Sequence, residues 1–249
     1  MNNQKQTAIT SLFAKQMSCR QCVSSALCHP AEDAGTGLEN RRYTLKKGDH
    51  LYRTGDPFRA IYVIQSGCIK SSMLTSEGDV QVLRFSLPGE TVGVNAIGLN
   101  CHPCDAVALE PTEVCRIHFA QLEKLAHDNP QVQHRLMCLL SDEIVMDGKL
   151  MAMLGHQKAE ARVANCLLHF SQRYQKQGDR LSAKSYRLPM SRQDMGDYLG
   201  LSLETISRML SRFQAEGLLR VQGRQVLLRD LAGLQSVAEH CPTPAVVQA

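Results

Sequence analysis

The sequence lacks several features that would assign it quickly to a class. It contains no tryptophan, and aromatic residues make up only 5% of its 249 residues. No stretch approaches the roughly 20 consecutive apolar residues that a membrane-spanning helix needs. Met1 to Lys15 has polar residues throughout and no apolar core of a secretory signal peptide. These absences favour a protein without a membrane span that stays in the cytoplasm, where thiols are kept reduced.

Cysteine is abundant by contrast, with 10 residues in the chain. A reducing compartment favours metal or redox chemistry over disulfides for such residues. Cys19, Cys22 and Cys28 follow a C-x2-C-x5-C spacing near the N-terminus, and Cys115 in a strand-like stretch is a candidate fourth ligand. Thiolates this close in sequence can converge on one soft metal centre. The spacing alone does not decide between zinc and an iron–sulfur cluster.

The charge is unevenly distributed along the chain. Residues 158–249 carry 13 Lys/Arg against 8 Asp/Glu, whereas residues 1–157 carry 15 against 16. A basic C-terminal third favours a polyanionic partner for that part of the protein. A solvated surface explains the same charge, so charge alone leaves both interpretations open.

Residues after the cysteine-rich segment have the pattern of an all-β domain. Short apolar runs such as 61–64, 80–85 and 114–117 are separated by turn signals at roughly 8–12-residue spacing, which predicts a sandwich or barrel. The turn signals are Lys47-Gly48-Asp49, Gly55-Asp56-Pro57, Ser66-Gly67, Glu77-Gly78-Asp79 and Pro88-Gly89-Glu90.

A long helix is predicted to follow. Asp128 and Asn129 supply an N-cap, and Pro130 suits the first helical position. Beyond it, residues recur in steps of three and four, which is the seam spacing of a two-helix coiled coil. This seam consists of Met137, Leu140, Ile144, Asp147, Met151 and Leu154. It predicts a homodimer, with packing on the helix's own domain as the alternative.

Asp147 occupies a seam position where an apolar residue is expected. In a parallel dimer the two Asp147 carboxylates would lie near each other, and like charges in a desolvated seam oppose dimerisation. Either the carboxylate bends out to water, or dimerisation is weak and needs another event to complete it.

Residues 191–217 have the spacing of a helix–turn–helix. Ser191 begins a first helix with an S-x-x-D capping pattern, Gly200 makes the turn, and Ser202 caps a second helix that ends at Gly217. Four apolar residues of the second helix are predicted to point inward: Leu203, Ile206, Leu210 and Phe213.

The opposite face of the second helix carries Glu204, Ser207, Arg208 and Ser211. Such a face suits a major groove, because Arg donates to guanine, Glu accepts from cytosine and Ser bonds either. Arg212, one turn on, is expected to reach phosphate. The alternative is a solvated face with a Glu204–Arg208 ion pair.

With these pieces placed, the chain closely resembles the FNR-type regulators within the family that includes the cyclic-AMP receptor protein. The resemblance runs from about Cys19 to residue 235. It rests on the order and spacing of C-R-Q-C-V-S-S-A-L-C, G-D-x-L-Y-R-T-G-D, I-Q-S-G-C-I-K, T-E-V-C-R-I and L-E-T-I-S-R.

The resemblance implies an oxygen-sensing transcription regulator, not an enzyme. In such regulators four cysteines, here Cys19, Cys22, Cys28 and Cys115, hold a [4Fe–4S] cluster. The cluster-bearing form dimerises through the long helix, binds a palindromic DNA site, and activates or represses transcription. Oxygen converts the cluster to [2Fe–2S], the dimer dissociates and DNA is released.

The resemblance also assigns roles to single residues. It implies that Asp147 opposes dimerisation without the cluster, with Ile144 shielding it. The base-reading residues carry over to Glu204, Ser207 and Arg208. Contacts with RNA polymerase are expected from surface loops of the β domain, around Gly78.

The fold class expected from pattern and resemblance together is α+β. It comprises an N-terminal β-roll (jelly-roll-like) sensor domain, a long dimerisation helix and a C-terminal winged helix–turn–helix whose wing is a hairpin around Gly223. The expected boundaries are 1–30 for the cysteine-rich cluster-binding segment, 31–127 for the β-roll, 128–157 for the helix, 158–235 for the DNA-binding domain and 236–249 for a flexible tail.

Cyclic-nucleotide-binding relatives hold ribose and phosphate with a Glu after the P-G-E turn and with an Arg-Ser pair. Here residues 91–95 contain no second acidic residue, and residues 101–105 contain no Arg. A cyclic phosphate would have no cation to bind, so no cyclic nucleotide is expected.

The chain departs from the family pattern at Cys101 and Cys104, a second C-x2-C pair. Either residue could supply the fourth ligand, although the strand context of Cys115 favours that residue. Two other classes remain open. An electron carrier would not need residues 191–229, and a metal-free thiol switch would rely on Cys22 or Cys104. The remaining cysteines are interpreted as small apolar residues.

Overall fold

The computed structural model describes residues 41–176 and 184–239, so Cys19, Cys22, Cys28 and Cys241 lie outside the described residues. The chain divides into two compact units. Among the described residues, the first consists of 41–78 and Leu83–Glu143, and the second of Asp79–Val82 and the residues from Ile144 onward.

The described chain begins with eight strands, which confirms the all-β pattern predicted from the turn spacing. They form two four-stranded sheets, β1-β8-β3-β6 and β2-β7-β4-β5, with a core between them that includes Tyr52, Ile64, Cys104 and Val114. The strands are β1 Arg41–Leu45, β2 His50–Tyr52, β3 Ala60–Ser66, β4 Ile69–Leu74, β5 Val80–Ser86, β6 Thr91–Val92, β7 Asp105–Ala108 and β8 Thr112–His118.

The turn between β3 and β4 shows why glycine is needed there. Gly67 has a φ of +86°, and a Cβ at this position would lie 2.3 Å from Thr112 Oγ1. That hydroxyl accepts a hydrogen bond from the Cys68 amide at 3.2 Å. The turn therefore ties β3 and β4 to the start of β8.

Helix α1, Phe119–Asp128, follows β8 directly. It was not predicted, because the sequence pattern indicated an all-β domain over residues 31–123 and the β-roll was expected to extend to residue 127. It packs on the outer face of the β1-β8-β3-β6 sheet, where Leu122 and Ala126 join Ile61, Val63 and Cys115 in a second apolar core. No side chain caps the first turn of α1, so the sequence carries no start signal for it.

Helix α2 spans Pro130–His156, with 27 residues and a length of about 40 Å at 1.5 Å per residue. Its predicted start is confirmed, since Asn129 Oδ1 accepts a hydrogen bond from the Gln131 amide at 3.0 Å. Val132 is the one buried residue of this helix. Most of the surface of α2 is therefore uncovered in a single chain.

The second unit contains the predicted winged helix–turn–helix. Its sheet has the order β10-β11-β9. Its elements are α3 Ala159–Lys176, β9 Ser185–Arg187, α4 Arg192–Leu199, α5 Leu203–Ala215, β10 Leu219–Gln222, β11 Gln225–Leu228 and α6 Leu231–Glu239.

Helix α6 corrects the predicted C-terminal boundary. The tail was expected to begin at residue 236, but the helix continues to Glu239 because Leu234 and Ala238 are buried at helical spacing.

Among the described residues, no helix combines the length and apolar character required for a membrane span.

Candidate functional site

The helix–turn–helix is defined at its start by a complete capping box. Ser191 Oγ accepts from the Asp194 amide at 3.0 Å, and Asp194 Oδ2 accepts from the Ser191 amide at 2.9 Å. Gly200 ends α4 in the left-handed region, with a φ of +63°. Ser202 Oγ then caps α5 by accepting from the Thr205 amide at 3.2 Å. The predicted caps and turn are confirmed.

One face of α5 packs into the domain. Ile206, Leu210 and Phe213 are buried, as predicted. The prediction for Leu203 was wrong, because this residue is 39% exposed. Leu203 is the first residue of α5, and it therefore stands at the open end of the helix next to the polar face.

The polar face of α5 is available to a ligand. Glu204, Arg208 and Ser211 are exposed, and Ser207 is half-buried. Glu204 and Arg208 form no ion pair with each other in the described part of the chain, unlike the alternative considered from sequence. Arg192 of α4 donates a hydrogen bond from Nη1 to Ser207 Oγ at 3.2 Å. This contact was missed from sequence because the two residues lie on different helices.

Arg212, the predicted phosphate contact, is already engaged. Its Nε donates to Glu216 Oε1 at 2.7 Å, and its Nη1 donates to Glu160 Oε2 at 3.1 Å. The guanidinium is about half exposed, at 52%. A phosphate contact by Arg212 stays a prediction, and it would be shared with these carboxylates.

The seam residues of α2 form an exposed stripe. Met137, Ile144 and Met151, seven residues apart, are 61%, 72% and 68% exposed. Asp147 is exposed on the same stripe, and Leu140 and Leu154 are half-buried. Large apolar side chains at heptad spacing with so little cover are typical of a helix that pairs with another helix.

Within the first unit, an ion pair joins β5 to α2. Arg84 Nη1 of β5 lies 2.5 Å from Glu143 Oε1, and both side chains are about one-fifth exposed, at 21% and 23%. Glu143 directly precedes Ile144. The pair joins residues distant in sequence and could not be predicted from periodicity.

Cys115 lies on an inner strand of the first sheet. In β8 it is the register partner of Arg42 on β1 and of Val63 on β3. The residue is 6% exposed and belongs to the core beneath α1 and the start of α2. Its side chain is thus on the outer face of the sheet, away from the core between the sheets.

Cys104 belongs to the core between the sheets and is fully buried. Asn95 Nδ2 donates to its Sγ at 3.7 Å. Burial raises the pKa of the Cys104 thiol, and hydrogen bonds with Asn95 and Tyr52 only partly oppose this shift. Cys101 is half-buried and forms an isolated bridge with Pro57. Across residues 41–176 and 184–239, no three His, Cys, Asp or Glu side chains are grouped to hold a metal.

His102 lies in the segment of residues 101–105, which contains no arginine. Its ring stacks on Tyr52 with centroids 3.6 Å apart, and the edge of Phe58 approaches at 5.7 Å. His102 is 3% exposed, and its Nδ1 has no hydrogen-bond partner among the described residues. Burial lowers the pKa of His102, although Asp56 has the opposite effect.

Comparisons with known proteins agree with both halves of this description. The family model of the cyclic nucleotide-binding domain matches residues 42–129, and that of the Crp-like helix-turn-helix domain matches residues 161–237. "Transcriptional activator protein FnrA" of Stutzerimonas stutzeri is 38% identical over 230 residues, covering 90% of this chain and 93% of the relative.

Two further similarities span the chain. The "Fumarate and nitrate reduction regulatory protein" of Escherichia coli (strain K12) is 38% identical over 228 residues, covering 89% of this chain and 90% of the relative. The solved structure of FixK2 from Bradyrhizobium japonicum has a TM-score of 0.73 and 33% identity, covering 80% of this chain and 96% of that one.

Proposed function

Because this chain belongs to the cyclic-AMP receptor protein/FNR family of transcription regulators, we propose that it is an oxygen-responsive member. It binds DNA as a homodimer when it carries a [4Fe–4S] cluster. The observation that carries this proposal is the position of Cys115 next to the strand through which the N-terminal segment enters the sheet.

The register of β1 brings the chain to Cys115. Arg42 is directly opposite Cys115, and adjacent strands lie about 4.8 Å apart. Cys28 precedes Arg42 by 14 residues, a length that can reach up to about 46 Å when extended. The intervening chain is therefore long enough for Cys19, Cys22 and Cys28 to reach Cys115.

The donor set fits an iron–sulfur cluster. Four thiolates are its usual ligands, and Cys115 on the outer sheet face suits the fourth place better than Cys104. A ligand at Cys104 would have to enter the core between the sheets. When bound, the cluster supplies the oxygen-reactive centre. The chain's own part is to hold residues 19–28 against the outer face of β8, which couples assembly to ordering.

That face also supports the dimerisation helix. Cys115 shares its apolar core with Val132, and Leu136 and Leu140 of α2 pack against the same core. Ordering of the N-terminal segment next to this core would bias α2 toward pairing. Pairing would bury the stripe of Met137, Ile144 and Met151 and would bring the two Asp147 carboxylates together. Asp147 then sets the threshold that the occupied cysteine site must exceed.

The dimer would present two α5 helices to DNA. Two-fold symmetry requires an operator of inverted half-sites, centred about one helical turn apart. Glu204, Ser207 and Arg208 are the proposed base contacts, and Arg212 the proposed phosphate contact. A monomer loses one half-site and binds weakly.

Two partner assignments complete the proposal. RNA polymerase is expected at the β4–β5 turn around Gly78, where Met73, Leu74 and Val80 are 41%, 70% and 42% exposed. Cyclic nucleotides are not expected as ligands. Residues 101–105 contain no cation that could bind a cyclic phosphate, and His102 in this segment is buried against Tyr52.

The test is the visible absorption spectrum of protein purified without oxygen, before and after air, with oligomer size and operator binding followed on the same samples. We expect an iron–sulfur band that changes in air as the dimer becomes a monomer and operator affinity falls. A colourless zinc protein, or a dimer indifferent to air, would overturn the proposal.

A further inference from the structure

Arg162, in the first turns of α3, connects two parts of the second unit. Its guanidinium donates to three backbone carbonyls: Nη2 to Leu154 O at 2.7 Å, Nε to Gln157 O at 2.9 Å and Nη1 to Leu199 O at 3.0 Å. Leu154 lies in the last turn of α2, Gln157 lies in the link to α3, and Leu199 ends α4. One side chain thus reaches the dimerisation helix and the helix–turn–helix together.

The acceptors explain why arginine suits this place. The last carbonyls of a helix have no donor within the helix and carry partial negative charge. Leu154 O and Leu199 O are such groups, at the ends of two different helices. A guanidinium presents its donors in one rigid plane and keeps its charge. It therefore satisfies both helix ends and fixes their relative orientation.

Packing around the turn reinforces this link. A Cβ on Gly200 would lie 3.6 Å from Arg162 Nη1 and 3.8 Å from Leu154 Cδ2, so the turn lies close to the last seam residue. Asn165 Nδ2 donates a hydrogen bond to Gln157 Oε1 at 2.9 Å. The half-buried Arg162 is thus the centre of a small network of hydrogen bonds to backbone carbonyls.

We propose that Arg162 is a positioning residue that locks the helix–turn–helix onto the end of α2. Pairing of the α2 helices then sets the distance and angle between the two recognition helices. Arg162 acts through backbone carbonyls at the ends of α2 and α4, to which its Nη2 and Nη1 groups donate. The inference rests on the proposed dimer. It adds that Arg162 determines which half-site spacing the dimer recognises.

The test measures the DNA affinities of wild type and Arg162→Gln, both prepared as anaerobic, cluster-loaded protein. Three DNAs are compared: the inverted repeat, the same repeat with one base pair inserted at its centre, and a single half-site. For wild type, we expect the insertion to weaken binding strongly. For Arg162→Gln, we expect affinity for the uninterrupted repeat at least about tenfold weaker, the equivalent of one lost charge-assisted hydrogen bond. The variant should also discriminate less between the two spacings, with half-site affinity unchanged.

Two control variants separate positioning from other effects. Lys158→Gln removes a neighbouring exposed positive charge and should keep both the affinity and the spacing dependence of wild type. Arg162→Lys keeps the charge but offers a single compact donor group, so its spacing dependence should be intermediate.

Two outcomes would contradict the positioning role of Arg162. If Arg162→Gln loses equal affinity for the repeat and for the half-site, Arg162 is a folding or DNA-contact residue. If the variant keeps the spacing dependence of wild type, Arg162 does not position the helix–turn–helix. Absorption and oligomer size, measured on the same samples, reveal separately any failure of the cluster or dimer.

If neither Arg162 variant folds, small-angle X-ray scattering of the wild-type dimer without DNA still decides. A profile described by one rigid arrangement of the DNA-binding units supports the lock, and a profile that requires freely moving units contradicts it.

Discussion

At the residue scale, the surroundings of Cys104 and Cys115 distinguish two candidate fourth ligands that the sequence alone leaves open. Cys115 is on the outer face of a sheet, next to the entry of β1, whereas Cys104 is enclosed between the two sheets. The C-x2-C spacing of Cys101 and Cys104 is typical of a pair of metal ligands. The structure gives these two residues different surroundings and burial.

Replacing Cys115 by Ala should abolish cluster assembly, because the remaining three thiolates lose their fourth partner. Cys101→Ala and Cys104→Ala should assemble normally and are the matched controls. Iron content and visible absorption of anaerobic preparations measure the effect. If Cys104→Ala is colourless and Cys115→Ala is not, the fourth ligand lies between the sheets.

His102 should make the stability of the first unit depend on pH. Burial holds its folded-state pKa below the ordinary 6.5, so as pH falls below about 6.5 the unfolded chain binds the proton first and stability decreases. His102→Phe keeps a ring on Tyr52 and removes the titration, which should flatten this part of the profile. Urea unfolding at a series of pH values compares the two proteins, with the exposed His127→Gln as control. Parallel profiles for wild type and His102→Phe would contradict this role.

Arg208 and Arg212 should differ in what they contribute to DNA binding. Arg208→Ala should cost roughly 1–3 kcal/mol and relax preference at one base pair, while Arg212→Ala should weaken binding to all sequences alike and reduce the salt slope by about one. Affinities for an operator and single-base variants, over a range of salt concentrations, distinguish the two. A uniform loss for Arg208→Ala would exclude it as a base contact.

At the element scale, α2 is the helix that we propose to form the dimer contact. Its apolar stripe is interrupted by Asp147, and its cap, start and length followed from Asn129, Pro130 and the heptad spacing. Helix α1 was missed because nothing caps it and it follows a strand without a break. The Arg84–Glu143 ion pair and the hydrogen bonds of Arg162 were also missed. They join elements far apart in sequence, and the hydrophobic periodicity of a single element does not indicate such contacts.

Asp147→Ala should remain dimeric and bound to DNA in air, because removing the two carboxylates relieves their repulsion in the seam. Asp142→Ala is the matched control, since Asp142 is an exposed carboxylate on the same helix but off the seam. Size-exclusion chromatography with light scattering in air measures the effect. A monomeric Asp147→Ala would refute the role of this residue.

At the scale of the whole molecule, a match to a family of ligand-binding domains does not by itself identify the ligand of this chain. Residues 42–129 match the family model of cyclic nucleotide-binding domains. Within this range, residues 101–105 contain the buried His102 and no arginine. The strands, turns and winged helix–turn–helix were predictable because their signals are local. The sharing of one core by Cys115 and α2 was not, since it depends on which sheet face each residue occupies.

Cyclic AMP should therefore change neither the melting temperature of the protein nor its affinity for the operator. The cluster-loaded dimer is the form to test, and a cyclic-nucleotide-binding member of the family is the positive control for the assay. A dose-dependent rise in melting temperature would require a cation outside residues 101–105 to hold the phosphate.

The continuity of α2 through both compact units has an evolutionary consequence. After Glu143 the described chain stays in the second unit, and the boundary falls inside an uninterrupted helix. A fusion made within this helix in the same heptad phase keeps the stripe continuous. New input domains could thus be recruited to an existing DNA reader by recombination within one helix. A chimera joined at Glu143 in phase should keep its operator preference and acquire the signal of its donor, whereas a join one residue out of phase should lose both.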